Sequence, residues 1–125
     1  MPKNEPQCPC EGKTLEKFIR PAVLIVLAES DASGYSIVSR LSEMPVQDGK
    51  KPNAAGVYRA LNSMEEEGIV TSNWEISTSG PAKKVYQLTE HGKDCLCKWM
   101  MTLTAYKQAI DDLLVIGNNI VHSWD

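Results

Sequence analysis

The sequence predicts a mostly helical fold with one small β-hairpin and a long C-terminal helix. Three observations predict it. Apolar residues recur at helical spacing in three successive segments between Leu15 and Met64. The period then changes to two between Val70 and Leu88, and an apolar seam with alternating steps of three and four runs from Leu96 to Ile120. With 125 residues, 42% hydrophobic and 23% charged, the chain has the size and composition of one globular domain with a modest core.

Residues 1–13 are polar, carry Pro2, Pro6 and Pro9, and read as a flexible N-terminal tail. The domain proper is expected over 14–89 and a dimerisation helix over 90–121. Leu15, Phe18, Ile19, Ala22, Val23, Val26 and Leu27 keep helical spacing. Pro21 suits a first helical turn, so the first helix is expected over about 20–30, with a short lead-in from Thr14. Leu24 and Ile25 make it apolar on more than one side. Ser33 is a good N-cap for a second helix, whose inner face would be Tyr35, Ile37, Val38, Leu41 and Met44, and Pro45 stops it. Residues 45–52 form a polar loop containing Asp48-Gly49.

Asn53 caps a third helix, and Gly68 ends it as the left-handed residue. Ala54, Val57, Tyr58, Leu61 and Met64 are expected to point inward, and Ala55, Arg59, Asn62, Ser63 and Glu66 outward. The outward face starts with small residues and carries no acid before Glu65. A helix that enters the DNA major groove needs that slim front and donors that reach base edges. After Val70, Ser72, Trp74 and Ile76, the turn 77–81 leads into Lys84, Tyr86 and Leu88, giving a hairpin with Lys83 and Lys84 just past its tip. Three helices followed by a hairpin is the order of a winged helix-turn-helix, in which the hairpin, or wing, reaches phosphates or the minor groove. Thr89 caps the last helix, whose seam is Leu96, Trp99, Leu103, Tyr106, Ile110, Leu113, Gly117 and Ile120. A helix over 90–121 would be roughly 45 Å long, more than so small a domain can cover, so part of the seam is expected to meet a second copy.

The formal net charge of −3 opposes phosphate binding, but the distribution matters more. Lys50, Lys51 and Arg59 stand in an acid-free stretch, as do Lys83 and Lys84. Glu65, Glu66, Glu67, Asp111 and Asp112 gather elsewhere. No apolar run is long enough for a membrane span, no N-terminal signal is visible, and a cytoplasmic protein is expected. No Gly-rich phosphate loop or nucleophile motif is present, and His91 and His122 are the only histidines, so neither an enzyme nor a cofactor is expected.

Cys8/Cys10 and Cys95/Cys97 form two Cys-x-Cys pairs. Residues two apart on a helix point about 200° apart, so Cys95 and Cys97 do not share a metal easily. Cys8, Cys10, Cys95 and His91 remain a candidate metal set if the tail folds back, beside a redox-reactive thiol pair or plain unpaired cysteines.

Three stretches resemble the PadR-like family of transcription regulators. They are Leu27-Ala28-Glu29 through Gly34-Tyr35-Ser36-Ile37, the run 52–61 followed by 64–70, and the run 80–92. They correspond to the first helix and the opening of the second, the recognition helix and its exit, and the wing with the start of the dimer helix. The likeness covers about 20–118. Arg59 stands where the family often has Pro, and Val85 where it has an aromatic.

The resemblance implies a DNA-binding regulator, a repressor by preference, acting as a homodimer on a pseudo-palindromic duplex. DNA would then meet Lys51, Asn53, Ala55, Tyr58, Arg59 and Asn62, with Lys83 and Lys84 on phosphates; the spacing of Tyr58 also suits the core. The dimer interface would be Leu96, Trp99, Leu103, Tyr106, Ile110, Leu113 and Ile120. In some relatives an aromatic at the position of Trp99 lines a flat pocket between subunits for planar molecules, so a small planar effector is a further candidate ligand; Trp99 can equally just pack the interface. The competing readings are a winged-helix protein-interaction module without DNA binding, and a thiol- or metal-responsive sensor.

Overall fold

The structure, a computed structural model, describes residues 18–44, 53–76 and 79–124. The expected tail, the lead-in from Thr14, the loop 45–52 with Lys51, and Cys8 and Cys10 lie outside the described residues. Helix α1 spans Ile19–Glu29 and is wrapped by the rest of the body, with Pro21–Leu24, Val26 and Leu27 buried. Pro21 is its third residue, where a missing N–H costs no helical bond.

Helix α2 spans Gly34–Ser42, and Ser33 caps it by accepting from the Ser36 N–H at 3.2 Å. Helix α3 spans Ala54–Glu66; Asn53 Oδ1 accepts from the Ala55 and Gly56 N–H groups at 3.0 and 3.4 Å. Such a cap is worth about 1 kcal/mol. Gly68 at φ 77° closes α3: its N–H donates to Glu65 O at 3.1 Å and the Ile69 N–H donates to Met64 O at 2.9 Å.

Strands β2 (Val70–Glu75) and β3 (Lys83–Leu88) form the expected hairpin, in register from Val70 opposite Leu88 to Glu75 opposite Lys83. A two-residue strand β1, Ala32–Ser33, joins the other side of β3, giving the order β1-β3-β2. The core joins Val23, Leu24 and Val26 of α1 to Ile37, Leu41, Val57, Leu61, Met64, Val70 and Tyr86.

Two expected inner faces need correction. Tyr35 is 79% exposed, because it sits two residues before the buried Ile37 and so on the far side of α2. On α3, Ala54 and Tyr58 are exposed, and burial follows Val57, Leu61 and Met64 alone.

Helix α4 runs Glu90–His122, 33 residues or about 50 Å, one residue past the expected end. Thr89 caps it by accepting from the Gly92 N–H at 3.0 Å, while its hydroxyl reaches Gly68 O at 2.6 Å and Ile69 O at 2.9 Å. Gly92 is the buried residue of α4. Cys95, Leu96 and Trp99 pack half-buried against the core, and the Tyr106 ring meets Phe18 at 6.4 Å between centroids. From Lys107 onward every described residue but Gly117 is exposed.

Candidate nucleic-acid interface

The start of α2, the front of α3 and the inner face of the wing converge on one open groove of about 470 Å³. Tyr35 and Ser36 line it from α2, Tyr58 from α3, and Trp74, Lys83, Lys84 and Tyr86 from the wing. The pleat explains the share of Trp74, Lys84 and Tyr86, whereas Lys83, opposite Glu75, borders the groove from the other face of the hairpin. Ser72 lies opposite Tyr86 and Trp74 opposite Lys84, so these four side chains stand on one face of the hairpin. The N-terminus of α2 borders the groove, and first-turn N–H groups there favour an anion.

Gly34 exists for this geometry. A Cβ there would run into the Tyr58 ring, and the lack of one lets α3 lie close under the start of α2.

Beside the groove, α3 presents an acid-free surface. Asn53, Ala55, Arg59 and Asn62 are all exposed. Asn53 spends its carbonyl oxygen on the cap, so its amide nitrogen is the group left to donate outward.

The two wing lysines differ. Lys83 is exposed and has no ion pair among the described residues. Lys84 Nζ lies 3.4 Å from Glu65 Oε1 and 5.4 Å from the centre of the Tyr86 ring. Glu65 Oε2 accepts from Ser72 Oγ at 2.5 Å. That hydrogen bond, aided by Lys84, holds the Glu65 carboxyl below the usual carboxylate range, so the cluster stays ionised at neutral pH and is released only in acid. Tyr86 and Glu65 raise the Lys84 ammonium above its ordinary value.

Of the expected DNA-facing residues, Tyr58, Lys83 and Lys84 line the groove, and Asn53, Ala55, Arg59 and Asn62 stand beside it on α3. Sequence reasoning missed Tyr35, Trp74 and Tyr86 as lining residues and Glu65 as a partner of Lys84. The alternation of Ser72, Trp74, Lys84 and Tyr86 was the available signal for the wing face. Nothing in the linear pattern pairs Glu65 with Lys84.

Among the seam residues, Leu96, Trp99 and Leu103 are half-buried, whereas Tyr106, Ile110, Leu113 and Ile120 are 47–69% exposed. Leu114, Ile116 and Val121 flank the seam and widen this apolar surface, whereas Met101 and Val115 are exposed on the opposite side of α4 and Trp124 just past its end. Cys8 and Cys10 of the candidate metal set lie outside the described residues; among the described residues no group of three or more His, Cys, Asp or Glu could hold an ion. Cys95 and Cys97 are free thiols, the first half-buried and the second exposed. No described helix is long and apolar enough to cross a membrane.

Residues 23–98, more than half of the chain, match the family described as "Transcriptional regulator PadR-like family". The chain is similar to the negative transcriptional regulator PadR of Bacillus subtilis, 27% identical over 96 residues, 77% of this chain and 52% of that protein. It thus spans about half the length of that curated relative. Its fold resembles a PadR family transcription regulator from Clostridium difficile, with a TM-score of 0.68, 26% identity and coverage of 78% of this chain and 98% of that one. It also resembles Bacillus subtilis PadR in complex with operator DNA, with a TM-score of 0.58, 26% identity and coverage of 73% and 58%.

Proposed function

This chain belongs to the PadR-like family of transcriptional regulators, and on that premise we propose that it is a sequence-specific DNA-binding repressor acting as a homodimer on a pseudo-palindromic operator. The observation that carries this reading is the convergence of an acid-free helix front and a lysine-bearing wing on one groove. In this reading α3 enters the major groove, with Arg59, Asn62 and Asn53 offering donors to base edges. The phosphate backbone runs along the groove, against Lys83, Tyr58 and the start of α2. The operator complex of the Bacillus subtilis relative supports DNA as the partner.

The test is to sequence the fragments of source-genome DNA retained by the purified protein at about 150 mM salt, near physiological ionic strength. One enriched pseudo-palindrome is expected. On that duplex Lys83→Ala weakens binding and flattens the salt slope by about 1. No enrichment, or a slope that Lys83→Ala leaves unchanged, overturns the reading or the placement of Lys83 respectively. The net charge of −3 favours the rival, a protein-interaction module, and salt-independent behaviour towards DNA would select it.

The α4 seam supplies the second copy in this proposal, since its exposed apolar half needs a cover. A planar effector is proposed at Trp99, between subunits. Its indole is half-buried against its own core, with an exposed remainder that a flat ring can meet. Planar cationic dyes are expected to quench tryptophan emission, and Trp99→Ala to abolish their binding; dye binding that survives the substitution refutes the site.

A further inference from the structure

Lys84 would pass, in sequence, for a second copy of Lys83. The structure separates them. One carboxylate, Glu65 at the exit of α3, takes Ser72 of β2 on one oxygen at 2.5 Å and Lys84 of β3 on the other at 3.4 Å. Glu65 therefore ties the groove-reading helix to both strands of the wing at once. The side chains of Lys84 and Glu65 are 34% and 33% exposed, partly shielded, whereas Lys83 is open to solvent. The tie also sits where the wing needs one. Val70 and Tyr86 are buried at the root of the hairpin, but Asn73, Trp74, Glu75 and Lys83 beyond it are exposed. A two-stranded ribbon is marginally stable by itself, so packing at the root does not fix the direction of its outer half.

We propose that Glu65 is a positioning residue for DNA recognition: it sets the angle between α3 and the wing and withholds the Lys84 charge from phosphates. This rests on the DNA-binding reading above. A surface ion pair contributes little to stability, so its value here is geometric. A cation already neutralised by its own carboxylate releases no counterion when DNA arrives, so Lys84 adds nothing to non-specific affinity while the tie is closed. The protein gives up one phosphate contact and gains a wing held in register with its reading helix. Discrimination between the operator and other duplexes rises because the indiscriminate part of the binding falls.

Two variants dissect the tie. Glu65→Gln removes the charge but still accepts from Ser72. On a mixed-sequence duplex it is expected to bind more tightly than wild type, with a salt slope steeper by about 0.9, one further phosphate contact. The ratio of operator to mixed-sequence affinity falls. In a Lys84→Ala background the same change leaves the slope where it was, because the released cation is no longer there. Glu65→Ala removes the hydrogen bond too, and in the free protein it is expected to speed hydrogen exchange at the amides of 72–74 and 84–86, with those of α1 unchanged. A merely structural Glu65 would lower thermal stability and leave slope and ratio untouched. An unchanged slope in Glu65→Gln, or unchanged exchange in Glu65→Ala, overturns the proposal. If wild type shows no salt-dependent binding to any duplex, the parent reading fails instead, and the exchange experiment on free protein still decides whether the tie holds the wing.

Discussion

In the proposed homodimer, Leu113→Glu is expected to separate the two copies and to cost about 10²- to 10⁴-fold in affinity for the proposed operator. Leu113 is 69% exposed in the single chain, within an apolar surface that includes Ile110, Leu114, Ile116 and Ile120. It is neither in the core nor among the residues packed on it, so the substitution is expected to leave the winged helix intact and to act on what α4 meets. Two chains pairing along this seam would bury two like charges near one another without partners, which the interface cannot accommodate. Once the copies separate, each half-site binds alone, and the gain from linking two modules, of the order quoted, is lost. Light scattering on eluted protein and titration of the selected duplex read both effects. A dimeric Leu113→Glu variant with wild-type affinity would show that the exposed seam is not the interface.

Gly92→Ala is expected to destabilise the fold by about 3 kcal/mol, the upper part of the range for overpacking in a closed site. A Cβ at this position would collide with the backbone oxygen of Ile69 and press on the Leu88 side chain 2.7 Å away. The Ile69 oxygen cannot yield, because it accepts from the Thr89 N–H at 3.2 Å and from the Thr89 hydroxyl at 2.9 Å. The helix start must lift instead, breaking the cap that Thr89 gives Gly92 and loosening Leu96 and Trp99 from the core. Gly80→Ala is the control, since nothing lies within 4 Å of a Cβ there, and it should stay within about 0.5 kcal/mol of wild type. Urea unfolding at one fixed protein concentration makes the comparison, because dimerisation would couple stability to concentration. A Gly92→Ala midpoint equal to that of Gly80→Ala would refute the close docking of α4.

The elements whose ends carry their own chemistry were legible in the chain. Ser33, Asn53 and Thr89 each cap the helix they were expected to cap, and Gly68 closes α3 at positive φ. These signals are local: a side-chain oxygen meets N–H groups two or three residues on, wherever the rest of the chain goes. Strand β1 was illegible because two residues carry no period, and it exists only through its pairing with Tyr86 and Val85. Tyr35 and Tyr58 misled for a related reason. Apolar spacing does not distinguish a core ring from one that lines an open groove, and both tyrosines belong to the groove. The groove depends on α2, α3 and the wing meeting in space, as does the junction of Glu65, Ser72 and Lys84, whose members lie on three different elements.

The short joint at Thr89 has a mechanical consequence. Strand β3 ends at Leu88, α4 begins at Glu90, and the single residue between them is bonded to the turn that closes α3. The helix is therefore a rigid lever fixed to the winged-helix body with no slack at the fulcrum. Over its length of about 50 Å, a tilt of about 5° at the far end displaces the body by roughly 4 Å. That is about one base-pair step, while operator half-sites must match the protein's two-fold spacing. In the proposed dimer, a ligand that shifts the seam by a few degrees needs no contact with DNA to move one reading head off its half-site.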